Sequence, residues 1–192
     1  LVVSGLALGI DGAAHEGALE AVEGAASGQG GTPEVWQRKY EWKPDAKVTP
    51  TPASTVAVLG GGHRQRHPAS HAGLARRIVA AGGSVISEWP PDVAPLPYRF
   101  LQRNRVISGL SRFVMVVEAW RRSGTNSTVG HALDQGRTVL TVPAAPWSAS
   151  GESCVKLVND GAELVFGPNE VIERFTDLAP RSAQALAEER LL

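Results

Sequence analysis

The chain has 192 residues, 43% apolar, 20% charged and 6% aromatic, which suffices for one sizeable core or two small ones and excludes a disordered chain. No run of about 18 apolar residues and no charged-then-apolar leader is visible, so a membrane span and a secretory signal are not expected and the chain reads as cytoplasmic; the single cysteine, Cys154, excludes an intrachain disulfide framework and a cysteine zinc cage. The zero net charge conceals a basic middle: residues 1–59 carry −3, residues 60–125 carry +7 and residues 126–192 carry −4, and all ten positive charges of the middle are arginines. Arginine forks match phosphate oxygens, so those residues read either as a solvated basic face or as a footprint for an anionic partner.

Short runs of Val, Ile and Leu alternate with helical stretches along the chain, the pattern of a parallel sheet covered by helices. Strands are predicted over Leu1–Ser4, Thr55–Leu59, Ser84–Ser87, Phe113–Val117, Thr138–Val142 and Glu163–Phe166, and helices over Gly12–Glu23, Pro68–Ala81, Phe100–Gly109, Asn126–Gln135, Glu152–Asn159 and Asn169–Phe175. Pro68 suits a first helical position, and Gly82 and Gly136 suit left-handed helix ends. The expected fold class is α/β: a Rossmann-like, doubly wound, mostly parallel sheet with helices on both faces. One domain is expected over residues 1–178, interrupted by an irregular insertion at 24–54 rich in Gly, Pro and Thr, and followed by a tail or linker helix at 179–192. Trp36, Tyr40 and Trp42 inside the insertion read as docking it onto the body or as stacking on a ligand.

Three glycine-bearing turns follow predicted strands. SGLALGID at Ser4–Asp11 brings Gly5 and Gly9 to the start of a helix, LGGGH at Leu59–His63 brings Gly61 and Gly62, and RRSGTNST at Arg121–Thr128 brings Ser123, Gly124 and Thr125. Glycine turns after strands also serve packing alone, but in a doubly wound sheet all three lie at the carboxyl ends of strands, where ligands bind, and together they form a candidate phosphate-binding set with Ser4. Between the second and third turns, Arg99–Ser111 is an amphipathic segment. It places Arg99, Arg103 and Asn104 within about one helical turn, with Arg105 beside them, and Val106, Ile107 and Leu110 as the apolar anchor. It reads as a surface helix with solvated arginines or as a contact for a sugar–phosphate backbone. His63, His67 and His71 recur every four residues, but Pro68 leaves the first two in a loop and no acidic or thiol partner completes a shell, so they are expected in solvent or facing the partner rather than on a metal.

SGLALGIDGAAHEGAL at Ser4–Leu19, TVAVLGGG at Thr55–Gly62, ISEWPP at Ile86–Pro91, FLQRNRVISGLS at Phe100–Ser111, VVEAWRRSGT at Val116–Thr125, ALDQGRTVLTVP at Ala132–Pro143 and LVNDGAELV at Leu157–Val165 resemble, in order, the blocks of the DNA-processing protein A family (DprA, also called Smf). The resemblance implies a Rossmann-like fold, a homodimer, single-stranded DNA binding with little sequence preference, loading of the RecA recombinase during natural transformation, no enzymatic activity and no cofactor. It assigns Phe100, Arg103, Asn104 and Arg105 to DNA contact or to building the pocket, and the glycine turns to phosphate binding. It also marks departures. The family's opening strand, with its arginine turn, has no counterpart ahead of Leu1, so the resemblance reads as N-terminally truncated. Leu8 stands where arginine is common, Ser153-Cys154-Val155 stands for Gly-Cys-Asn, the insertion is extra, and no winged-helix domain follows the sheet.

Two further readings stay open. The same superfamily resembles phosphoribohydrolases with a catalytic glutamate, but alignment of Ser127-Thr128 with their Gly-Thr puts His131 at that position; Glu118 is the nearest substitute, and beside Arg121 and Arg122 it reads as an ion-pair partner. A nucleotide-sensing module without catalysis would use the same turns.

Overall fold

The structure, a computed structural model, describes residues 1–26, 55–121, 123–145 and 147–177. Most of the 24–54 insertion, including Trp36, Tyr40 and Trp42, and all of the 179–192 tail lie outside the described residues.

All six predicted strands and six predicted helices are present. They run β1 (Val2–Ser4), α1 (Ile10–Ala26), β2 (Thr55–Val58), a short 3-10 turn (Ala69–His71) leading into α2 (Ala72–Ala80), β3 (Ser84–Ile86), α3 (Pro97–Gly109), β4 (Phe113–Val116), α4 (Thr125–Asp134), β5 (Thr138–Thr141), α5 (Ala149–Asn159), β6 (Glu163–Leu164) and α6 (Pro168–Asp177). Helix α1 continues through Ala26, so the first residues of the expected insertion are helical. Pro68 is extended and precedes the 3-10 turn rather than opening an α-helix.

Every strand pair is parallel, as the alternation of strand and helix requires. The ladders join the strands in two groups of three, β1-β2-β3 and β4-β5-β6, and each group has its own core. The first gathers Leu6, Leu19, Ala57, Leu59, Leu74, Ala75 and Ile78; the second gathers Val114, Val116, Ala119, Val129, Ala132, Val139, Leu157 and Ala162. Helix α3 spans the two, packing along α4 and reaching β2.

The helix ends obey the glycine signals. Gly82, Gly136 and Gly161 have φ of +81°, +65° and +102°, values reached at little cost without a Cβ. In each case the next residue turns its N–H back five positions: Gly83 to Ile78, Arg137 to Ala132 and Ala162 to Leu157. This closure supplies donors to carbonyls that helix ends otherwise leave orphaned, and it feeds the chain straight into the following strand. At the opposite end of α5, the Ser148 hydroxyl oxygen accepts the Gly151 N–H at 3.0 Å, a side-chain cap.

Candidate nucleic-acid interface

The first glycine turn is organised by Asp11. Its Oδ2 accepts the N–H groups of Gly5 at 3.0 Å and Ala7 at 3.2 Å, so a carboxylate in the first turn of α1 folds the loop over the helix's positive end. Gly9 takes φ of +86° with open space about it, and its carbonyl accepts the Ala13 N–H. The expected amide donor at Gly5 is therefore taken up within the protein, while Ala7–Ile10 form an exposed rim.

The second turn is packed, not open. Gly62 donates its N–H to the Val93 carbonyl at 2.8 Å, and a Cβ there would run into the carbonyl oxygens of Pro90 and Pro91. A Cβ on Gly61 would lie 2.8 Å from the Pro95 nitrogen, and one on Gly60 would lie 2.5 Å from the Phe100 ring. These glycines serve close packing of the 90–95 segment and Phe100 against the carboxyl end of β2. The Ser87 hydroxyl fastens the same segment, donating to the Gly61 carbonyl at 2.8 Å and accepting the Trp89 N–H at 3.0 Å.

In the third turn, the Ser123 hydroxyl donates to Thr125 Oγ1 at 2.8 Å and accepts the Thr125 N–H at 3.1 Å, which shapes the entry to α4. Arg121 pairs with Glu152 of α5 at 3.5 Å; Arg122, the other arginine expected beside Glu118, lies outside the described residues.

Helix α3 joins the three turns. Arg103, 6% exposed, donates through Nη1 to the carbonyls of Gly5 (2.9 Å) and Val58, and through Nε to Asn104 Oδ1 at 3.2 Å. Asn104, also buried, donates through Nδ2 to the Gly124 carbonyl at 3.2 Å. These bonds satisfy carbonyls at the ends of β1 and β2 and at the start of α4. Burial pulls the Arg103 guanidinium below its ordinary value, with the charge of Asp11 opposing.

The polar face of α3 is thus partly inverted from the sequence expectation. Arg103, Asn104 and Ser108 point inward, while Leu110, expected as an anchor, is exposed. The reason is the supply of unpaired strand-end carbonyls, for which a guanidinium and an amide are better partners than Leu or Val. Arg105 does lie outside, paired with Glu88. The Phe100 ring sits 5.6 Å from His67, and the Arg103 guanidinium sits 5.9 Å from the Phe100 ring.

The histidines separate. His63 and His67 are exposed, but His71 is half-buried, its Nδ1 2.9 Å from the Leu6 carbonyl and its ring against Gly12, which corrects the expectation that it faces solvent or a partner. Sequence reasoning passed over Asp11, Glu88 and Trp89, although an acid in the first turn of a helix is a recognisable N-terminal signal. Among the described residues, no helix is long and apolar enough to cross a membrane.

A family model described as DNA recombination-mediator protein A matches residues 47–176. Protein Smf of Escherichia coli (strain K12) is 40% identical over 172 residues, which are 90% of this chain and 38% of that protein. DNA processing protein DprA of Streptococcus pneumoniae is 33% identical over 175 residues, 91% of this chain and 51% of that one. The X-ray structure of DprA from Streptococcus pneumoniae aligns with a TM-score of 0.66 at 32% identity, covering 89% of this chain and 50% of that chain. DNA processing protein A from Helicobacter pylori, whose structure concerns its single-stranded DNA binding mode, aligns with a TM-score of 0.60 at 19% identity over 92% of this chain and 79% of that one. The chain spans from about a third to half the length of the curated relatives it matches.

Proposed function

The chain belongs to the DNA recombination-mediator protein A family, and from that premise we propose that it binds single-stranded DNA without strong sequence preference, acts as a homodimer, and delivers the strand to the RecA recombinase during natural transformation. The observation that carries this reading is the junction made by α3. One helix ties the carboxyl ends of β1 and β2 to the start of α4 through Arg103 and Asn104, and the same helix carries Arg99 and Arg105 on either side of that junction. A rim fixed by buried bonds with arginines beside it suits a backbone running past the site rather than one phosphate held inside it.

The residues proposed to meet DNA are Arg105 and Phe100, with Gly9 and Thr125 on the rim. Arg103 and Asn104 hold that rim in place. The reading is of a binding site without catalysis, since the position of the hydrolase glutamate is His131. The Helicobacter pylori relative supports the choice of single strands.

Competition binding tests it. A labelled single strand is expected to be displaced by unlabelled single strands of unrelated sequence, and far less by duplex of equal length or by a mononucleotide. Equal displacement by mononucleotide and by strand would favour the nucleotide-sensing alternative. Faster RecA assembly on coated single strands in the presence of the protein tests the delivery step.

A further inference from the structure

Arg99 differs from four other arginines of the basic middle. Arg64, Arg77, Arg105 and Arg121 each pair with a carboxylate: Asp92, Glu16 with Glu23, Glu88 and Glu152. Arg99 has no carboxylate partner among the described residues. Its guanidinium donates to the Ala94 carbonyl, and its central carbon lies 4.9 Å from the Trp89 ring centroid and 5.4 Å from that of Tyr98. Two aromatic rings and one cation with no counter-charge among the described residues thus share one place at the start of α3, where Tyr98 is 50% exposed.

That place is held firmly. The segment before α3 contains Pro90, Pro91 and Pro95, and Pro97 opens the helix; each fixes its own φ. The segment is bonded to the second glycine turn through Gly62 N–H to Val93 O and Arg64 N–H to Pro91 O. A rigid aromatic platform loses little freedom when a flat ligand is laid on it. Guanidinium over a ring is weakly hydrated and attracts electron-rich planar groups.

Nucleobases are flat, have two π faces and occur at every step of a strand, so a platform of this kind holds a strand without reading it. We infer that Trp89, Arg99 and Tyr98 form a nucleobase-stacking step, at which one base of a single strand lies on the exposed Tyr98 ring beside the Arg99 cation. The inference rests on the single-strand reading above and adds a base contact to its phosphate contacts.

The test separates bases from phosphates. Binding of the intact chain to an oligothymidine is compared with binding to an abasic oligomer of the same length, for the wild type, Tyr98→Ala and Tyr98→Phe. Tyr98→Ala is expected to weaken oligothymidine binding about tenfold and to leave abasic binding unchanged, while Tyr98→Phe matches the wild type. Unchanged oligothymidine binding by Tyr98→Ala, or an equal loss on both oligomers, overturns the stacking step while the single-strand reading stands. Failure of the wild type to bind either oligomer overturns both.

Discussion

Arg103 and Gly5 lie 98 positions apart in sequence, yet the guanidinium Nη1 donates to the Gly5 carbonyl at 2.9 Å, and a Cβ on Gly5 would lie 2.5 Å from that guanidinium. The smallest residue and one of the largest are therefore fitted to each other at the end of β1. Arg103→Met removes the donors and leaves the carbonyls of Gly5 and Val58 buried without partners, at an expected cost of about 3 kcal/mol. A shift of the urea midpoint checks this; a midpoint equal to the wild type would show that the bonds contribute nothing.

Glycine substitutions separate packing from conformation. Gly62→Ala forces a methyl group into the backbone of Pro90 and Pro91 and is expected to destabilise by about 3 kcal/mol. Gly17→Ala, inside α1 with nothing in the way of a Cβ, is expected to stabilise by up to about 1 kcal/mol. Thermal unfolding of the two variants is expected to move in opposite directions.

A pH effect follows from His15. It is fully buried, its Nδ1 is 2.6 Å from Thr55 Oγ1, and its Nε2 has no partner among the described residues. Burial lowers its pKa from the ordinary 6.5, with Asp11 and Glu16 opposing and His71 assisting. The unfolded chain thus takes up a proton before the folded one, so His15's contribution is complete above pH 6.5 and falls as the pH drops below it, by at most about 1.4 kcal/mol per pH unit. His15→Gln is expected to flatten the stability profile between pH 6.5 and 5; an unchanged slope would place the titration elsewhere.

The strand and helix order was legible because Val- and Ile-rich runs and glycine stops are local signals. Gly82 and Gly136 marked two helix ends that the structure shows with positive φ. The inward turn of Arg103 was not legible. Amphipathic reasoning sends arginine outward, and the carbonyls that draw it inward belong to Gly5 and Val58, which only the folded chain brings beside it. For the same reason Gly62 read as a phosphate cradle when its neighbours, Pro90 and Pro91, are remote in sequence. The assignment of Arg105 to the outside agreed, but its partner Glu88 lies 17 residues away and left no periodic trace.

That pair yields a prediction of opposite signs. On the proposed reading a phosphate would have to displace Glu88 from Arg105, so Glu88→Gln is expected to tighten single-strand binding a few-fold, and Arg105→Ala to weaken it for every sequence. The two partners are exposed, so neither change is expected to shift the unfolding midpoint by more than about 0.5 kcal/mol. Weaker binding by Glu88→Gln would show that the pair positions Arg105 instead of competing with DNA.

The central claim, that an extended strand crosses the rim instead of one phosphate entering it, is tested most directly by affinity against oligonucleotide length at several salt concentrations, for the wild type and Arg105→Ala. The account predicts affinity that rises with length until the site is filled, and a logarithmic salt slope about 0.7 smaller in magnitude for Arg105→Ala. Affinity independent of length, or an unchanged slope in the variant, would contradict it.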